Sequence, residues 1–295
     1  FQEPTATPLL TTLTPLADFT PTPQGTPIPQ GVKINQIQGA AHRSPLDGKT
    51  VENVYGIVTA KRGDGFYMQD PDPDDNVATS EGIFVAIRGV PRMQIGDAIL
   101  VKTASVREFN PAGIGETSLT ITQLVTSEYE IISSGNPIPE PTVIGKEGRL
   151  PPNEIIDNDI KGFAGRNGSF DPEEDGLDLY ESLESMRVQV NNAVAVSATN
   201  GYNEIAILPD LGENFGLLSS RGTIVLREND ANPERILLDD SLVNLPKVVV
   251  GDQFSQPIIG ILDYTFGAYK LQPTHKLPVT PGGLERIPLN NDPLE

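Results

Sequence analysis

The sequence lacks the residues on which several common kinds of protein site depend. It contains no cysteine, which excludes disulfide bonds and thiolate metal sites. Its only histidines are His42 and His275, too few for a zinc site without cysteine. It also has no nucleophile-elbow motif and no glycine-rich phosphate-binding loop. No segment approaches the roughly 20 apolar residues of a membrane-spanning helix. These absences predict a protein that is not an enzyme and does not span a membrane.

Basic residues are also scarce. The chain has 21 Lys and Arg against 40 Asp and Glu, a formal net charge of −19. Residues 136–295 hold 25 of the acidic and 12 of the basic residues. Because proteins that bind nucleic acid gain affinity from Lys and Arg, this balance argues against nucleic acid as the main partner of the second half. Solubility and the binding of divalent cations both remain open as explanations of the charge.

The residues that are abundant predict strands and turns. The 28 glycines and 27 prolines are typical of many short strands. Ten β-rich runs are punctuated by Gly, Pro, Asn or Asp, at residues 49–60, 65–69, 82–88, 97–109, 117–132, 186–198, 203–208, 221–228, 252–266 and 268–274. Five strands in each half suit a small closed barrel. The predicted fold class is all-β, with two tandem OB-like five-stranded barrels after an extended Pro/Thr-rich N-terminal arm.

An internal repeat supports the tandem arrangement. Leu46 aligns with Leu183, and SEGIFV around Gly82 aligns with SRGTIV around Gly222. The second copy then carries an insertion, with a predicted short helix around Pro233–Leu238. The predicted domains are an arm at 1–31, a first barrel at 32–135, a connector at 136–180, a second barrel at 181–284 and a C-terminal tail at 285–295.

The N-terminal arm is rich in proline and threonine, which exclude a helix and favour an extended chain. Four apolar residues of the arm would share one face of an extended strand, and they predict an assembly interface. These residues are Leu9, Leu13, Ala17 and Phe19. A disordered linker has the same composition and is the alternative. The Thr/Pro-rich opening and the start at Phe1 predict a processed, secreted, extracellular protein.

Two acidic clusters are candidate calcium sites. In the first, Asp70, Asp72, Asp74 and Glu81 occupy positions 1, 3, 5 and 12 of a calcium loop, and Asp75 stands where the turn glycine would be. The second cluster contains Asp171, Glu173, Glu174, Asp175 and Asp178. Crowded carboxylates repel one another, and a bound cation would relieve that repulsion. A solvated acidic turn is the alternative in each case.

Several segments resemble the N-terminal region of secreted bacterial nucleases of the endonuclease/exonuclease/phosphatase type. They are QGAAHRSPLDGKTV, GFYMQDPDPDDNVATSEGIFV, FDPEEDGLDLYESLESMRVQVNNAVAV, SRGTIV and FGAYKLQPT, and the resemblance covers roughly residues 34–284. It implies OB-like domains that precede a catalytic domain. The metal-binding Glu, the Asn-rich strand and the paired His/Asp motifs of that catalytic domain have no counterpart here. The resemblance therefore implies an auxiliary module.

The preferred function is a non-catalytic extracellular structural subunit. It would self-assemble head-to-tail into a filament or ring because the arm of one copy would dock on the next. The alternative is the nucleic-acid-binding auxiliary region of a secreted nuclease, which needs aromatic and cationic residues on one barrel face. The candidate residues for that alternative are Phe66, Tyr67, Arg62, Arg88 and Arg92.

Overall fold

The first half of the chain forms a closed sheet of five strands. The strands are β1 (Thr50–Arg62), β2 (Gly65–Gln69), β3 (Gly82–Ile87), β4 (Ala98–Phe109) and β5 (Ile121–Ser133). In the computed structural model they pair in the order β1-β2-β3-β5-β4, and β4 pairs back to β1. Only β3 and β5 run parallel to each other. All five strands coincide with predicted β-rich runs.

The structure describes residues 31–111, 118–159, 168–213, 215–216 and 218–285. The predicted assembly residues Leu9, Leu13, Ala17 and Phe19 lie outside these ranges, as do all but the first residue of the predicted tail. None of the helices in the described ranges combines the length and apolar character needed to span a membrane.

The core of the closed sheet is filled from its strands and from one short helix. Helix α1 (Ile34–Gln38) buries Ile34 and Ile37 completely, three residues apart on one face. These side chains pack in the same cluster as Phe66, Ile83 and Leu124 from the strands. Fully burying an Ile or Phe side chain contributes about 1.5–3 kcal/mol. The helix therefore closes the apolar interior of the sheet.

The second half forms a sheet of nine short strands. They are β6 (Thr142–Ile144), β7 (Arg187–Val190), β8 (Val194–Ala195), β9 (Ile205–Leu208), β10 (Ile236–Leu238), β11 (Gln253–Phe254), β12 (Ile258–Thr265), β13 (Ala268–Pro273) and β14 (Val279–Thr280). Their order is β14-β11-β8-β9-β10-β13-β12-β7-β6. Helix α2 (Gly176–Glu181) precedes β7. The predicted all-β fold class is thus confirmed, and the strands form two sheets.

The inner strands of the nine-stranded sheet repeat the pairing pattern of the closed sheet. In β1, the first part pairs with β4 and the last part pairs with β2. In the second sheet, β7 pairs with β12 and β8 pairs with β9. Between β7 and β8 the chain turns at Asn192, whose φ is +46°. Strands β10 and β13 run parallel, as β3 and β5 do.

Two details of the predicted repeat are wrong. The strand parallel to β13 is Ile236–Leu238, within the segment that was predicted to be an insertion with a short helix. Residues 221–228, which were aligned with β3, form only isolated bridges, such as Leu218 to Ile224. The predicted connector at 136–180 also contains regular structure. Strand β6 lies within it and pairs with β7, and helix α2 begins within it.

The two sheets meet across a buried joint. Gln69 Oε1 accepts a hydrogen bond from the Arg187 backbone N–H at 2.9 Å, and the Tyr67 hydroxyl donates to Asp263. A Cβ on Gly82 would lie 2.4 Å from the Ser185 carbonyl carbon, so only glycine permits this close approach. The chain segment after α2 therefore packs directly against β3.

Candidate metal centre

The acidic loop between β2 and β3 is bonded internally. The Asp70 carboxylate accepts the Asp72 backbone N–H at 2.9 Å, and Glu81 Oε1 accepts the Asp74 backbone N–H at the same distance. Lys33 Nζ lies 3.3 Å from Asp72 Oδ2 and 3.9 Å from Asp70 Oδ2. The chain's own donors and one ammonium group therefore offset part of the negative charge of this loop.

This loop does not gather its carboxylates around one point. Among the described residues, it contributes no group of three side chains whose ligand atoms all lie within 4.8 Å of one another. Asn35 Nδ2 donates to Glu81 Oε1 at 3.0 Å, and Asp75 is exposed to solvent. The calcium spacing in the sequence is thus present without a convergent set of ligands.

A convergent carboxylate group lies instead at the start of α2. Ligand atoms of Asp157, Asp159 and Asp175 all lie within 4.8 Å of one another. The loop that carries the first two residues is tied to the helix by backbone bonds, from Gly176 N–H to the Ile155 carbonyl at 3.0 Å and from Leu177 N–H to the Ile156 carbonyl at 2.9 Å. We call Asp157, Asp159 and Asp175 the carboxylate triad.

The loop of the triad is further held by local hydrogen bonds. The Asp159 backbone N–H donates to Asp157 Oδ1 at 3.1 Å, and the Ser169 backbone N–H donates to Asp159 Oδ2 at 2.7 Å. The remaining oxygen of Asp159 is buried and meets no donor among the described residues. The two bonds therefore fix the orientation of the Asp157 and Asp159 carboxylates.

Asp175 is the most unusual member of the triad. Asp175 is only 1% exposed to solvent, and neither of its carboxylate oxygens has a hydrogen-bond partner in the described part of the chain. Burial, followed by the negative charges of Asp157 and Asp178, raises the pKa of Asp175 to about 6, and the nearby Asn158 amide offsets only part of this. A buried carboxylate without donors is costly, by about 1–3 kcal/mol or more.

A second buried network adjoins the triad. His42 Nε2 lies 2.6 Å from Asp178 Oδ1, and His42 Nδ1 lies 3.4 Å from Glu181 Oε2. The Tyr269 hydroxyl donates to Glu181. Burial alone would lower the pKa of His42, but the two carboxylates raise it to about 9. Both ring nitrogens of His42 thus face carboxylates, an arrangement that favours the protonated imidazolium.

The ion pairs of His42 compete with metal binding. A ligand atom of His42 does lie within 4.8 Å of those of Asp157 and Asp178. However, both ring nitrogens face carboxylates, and a metal would have to displace a proton from the ring. Of the two convergent groups among the described residues, the triad is the one with only oxygen ligands.

The residues of the second predicted cluster divide into two groups. Asp175 belongs to the triad, and Asp178 binds His42. The Asp171 backbone N–H donates to Asp178 Oδ2 at 2.6 Å, while the side chains of Asp171 and Glu173 are exposed. Sequence reasoning missed Asp157 and Asp159, although the run IIDND offers two carboxylates at alternate positions.

The residues predicted to bind nucleic acid do not share an exposed face. Phe66 and Tyr67 are completely buried. The Arg62 guanidinium lies over the Phe84 ring, 4.0 Å from its centroid, and pairs with Asp64 and Asp263. Arg88 and Arg92 are exposed to solvent.

The second half of the chain is similar to a family that is described as a domain of unknown function (DUF8508). The family model matches residues 143–282, slightly less than half of the chain, and this range contains the carboxylate triad and strands β7 to β14. No curated protein matches the chain.

Proposed function

We propose that the protein is a non-catalytic extracellular module in which a calcium ion at the carboxylate triad stabilises the joint between two β-sheets. The observation that carries the proposal is Asp175, a buried carboxylate that meets no hydrogen-bond donor among the described residues and lies beside the carboxylates of Asp157 and Asp159. A cation would relieve the mutual repulsion of these negative charges.

The chemistry of the triad favours a hard cation. All three residues offer carboxylate oxygens, the ligands that calcium prefers, whereas zinc sites use cysteine or histidine nitrogen. Calcium also accepts irregular geometry and completes its shell with waters and backbone carbonyls, whereas magnesium demands a near-ideal octahedron. Because the chain has no cysteine and His42 is engaged elsewhere, calcium fits best.

The position of the triad explains what the ion would do. Asp157 and Asp159 lie on the loop that bonds to the start of α2, and Asp178 on the same helix holds His42 from the first half of the chain. An ion that ties this loop to Asp175 would also fix the helix against His42. It would raise stability by mass action in the millimolar calcium outside cells.

Isothermal titration calorimetry of the full chain with calcium tests the proposal. We expect one site per chain, and we expect Asp175→Asn to abolish it. The matched control is Glu173→Gln, which removes an exposed carboxylate two residues away and should leave the site intact. A wild-type chain that binds no calcium, or an Asp175→Asn chain that binds it equally well, would contradict the proposal.

We further propose that both sheets are OB-like and that the module assembles head-to-tail through the arm. The shared strand pairing supports the first part, and the apolar face of Leu9, Leu13 and Phe19 supports the second. Electron microscopy of a chain that lacks residues 1–30 tests the assembly, because polymers that persist without the arm would refute it. A mobility-shift assay with single-stranded DNA tests the alternative, and we expect no shift at micromolar protein.

A further inference from the structure

A second feature of the nine-stranded sheet is a groove of about 650 Å³ that is lined by residues of β10 and β13 and of the neighbouring turns. We call it the aromatic groove, and its main lining residues are Tyr202, Glu204, Asp239, Asp240, Phe266 and Lys270. Its size falls within the range of small-molecule sites. None of these residues belongs to the carboxylate triad or its neighbours.

The strand register places this groove opposite the core. Leu237 pairs with Lys270 and with Ala206, and all three lie on the groove side. Their neighbours Leu238 and Leu271 point the other way and are completely buried in the core. Because side chains alternate along a strand, the rigid sheet itself forms the floor of the groove.

Two aromatic side chains stand exposed at the groove. Tyr202 is 83% exposed and Phe266 is 78% exposed. Phe266 has φ +49° and is followed by Gly267 at +85° in the tight turn between β12 and β13. A left-handed conformation is unfavourable for a bulky residue, and exposure gives the ring no burial energy in return. The turn therefore presents an aromatic ring at a cost in stability.

The turn that carries Tyr202 is held in place. Asn200 Oδ1 accepts the backbone N–H groups of Tyr202 at 2.8 Å and Glu204 at 3.0 Å. Asn200 Nδ2 in turn donates to Glu204 Oε2 at 2.8 Å. A ring on a fixed turn loses little freedom when a ligand stacks on it, so the groove is organised before binding.

The polar floor of the groove is already paired. Lys270 Nζ lies 2.5 Å from Glu204 and 3.3 Å from Asp239, and it lies 5.5 Å from the centroid of the Phe266 ring. Lys270 thus occupies the place that a cationic ligand would take between carboxylates and ring. The lining as a whole has three carboxylates and one ammonium, so a polyanion would be repelled.

We propose that the aromatic groove binds a short neutral oligosaccharide. The flat C–H faces of β-linked hexoses would stack on Tyr202 and Phe266, since these hydrogens are attracted to the negative faces of aromatic rings. Sugar hydroxyls would donate to the carboxylates of Asp239 and Asp240, which keep acceptor capacity beyond their present bonds. This inference is independent of the calcium proposal.

Calorimetric titration of the full chain with cellohexaose tests the inference. We expect saturable binding, and a loss of affinity of about tenfold for Phe266→Asn and for Tyr202→Ser. Asn tolerates the left-handed conformation, so the Phe266→Asn chain should remain folded. The control Val90→Ser removes an apolar side chain that is 81% exposed and does not line the groove, and it should bind as the wild type does.

Three results would overturn the inference. The first is the absence of binding to cellohexaose, and the second is unchanged affinity in both aromatic variants. The third is binding of hexalysine or oligothymidylate without binding of the sugar. Repeating the titration in EDTA separates this site from the triad, because loss of the calcium site should leave sugar binding intact.

Discussion

The two acidic segments of this chain look alike in sequence and differ in structure. In residues 70–81, backbone N–H groups bind the carboxylates of Asp70 and Glu81, and Lys33 adds positive charge. In the carboxylate triad, Asp175 is buried with no donor in the described part of the chain. The number of carboxylates therefore does not by itself indicate a cation site. Among the described residues, Asp175 combines a lack of donors with ligand atoms that converge with those of Asp157 and Asp159.

Calcium binding at the carboxylate triad should produce the greatest change in stability. Calcium at about 100-fold above its dissociation constant should raise the free energy of unfolding by about 3 kcal/mol, or the melting temperature by roughly 5–10 °C. Asp175→Asn should remove this response. In EDTA it should be at least as stable as the wild type, because the amide removes a buried negative charge. Differential scanning calorimetry with calcium or EDTA measures both effects. An unchanged calcium response in this variant would show that the ion does not bind at Asp175.

The next effect is a pH dependence of stability that arises from burial of Glu234 and not from cation binding. Glu234 is completely buried, and both of its oxygens lack a donor among the described residues, yet it is in no convergent carboxylate group there. Burial, then the charge of Asp230, raises the pKa of Glu234 to about 7. The folded state therefore holds the proton more tightly, and stability should fall as pH rises from about 4.5 to 7, by on the order of 2–3 kcal/mol.

Glu234→Gln tests this assignment because glutamine carries no titrating proton. The variant should lack this fall and should gain stability relative to the wild type across the same pH window. Urea denaturation at several pH values, with and without calcium, measures it. Equal pH profiles of the two chains would contradict the burial effect. A loss of calcium binding in the variant would show that Glu234, like Asp175, contributes to the cation site.

The smallest effect concerns the loop at 70–81. Lys33→Gln removes the ammonium group near Asp70 and Asp72 and should cost roughly 0.2–1 kcal/mol, since exposed ion pairs contribute little. High salt should reduce the difference, and calcium should not affect it. The control Lys49→Gln changes an exposed lysine without an ion pair among the described residues. If the calcium response disappeared in Lys33→Gln, calcium would act at the loop at 70–81 and not at the carboxylate triad, which would contradict the proposed site.

Much of the closed sheet could be predicted from the sequence because its signals are local. GFYMQ and GIFVAI are apolar runs that each begin with glycine, and they form β2 and β3. Strand β10 could not be predicted in the same way. Its three residues follow ANPER, and they become a strand through pairing of Leu237 with Ala206 and Lys270, which are distant in sequence.

The metal site shows the same limit. Asp175 was predicted, but its neighbours Asp157 and Asp159 reach it only because the backbone at 155–156 bonds to the start of α2. In the loop at 70–81 the spacing matched a calcium loop, yet Lys33 and Asn35, far away in sequence, supply competing contacts. Local spacing therefore predicts which side chains could converge, and long-range packing decides which do.

The carboxylate of Asp263 links the two halves of the chain. It is completely buried and accepts hydrogen bonds from Tyr67 and Arg62 of the closed sheet and from Gln272 of its own sheet. Cutting the polypeptide between the sheets would deprive this acid of the donors Tyr67 and Arg62. Neither half should therefore be obtainable as an independently folded fragment, and the intact protein should melt cooperatively in one transition.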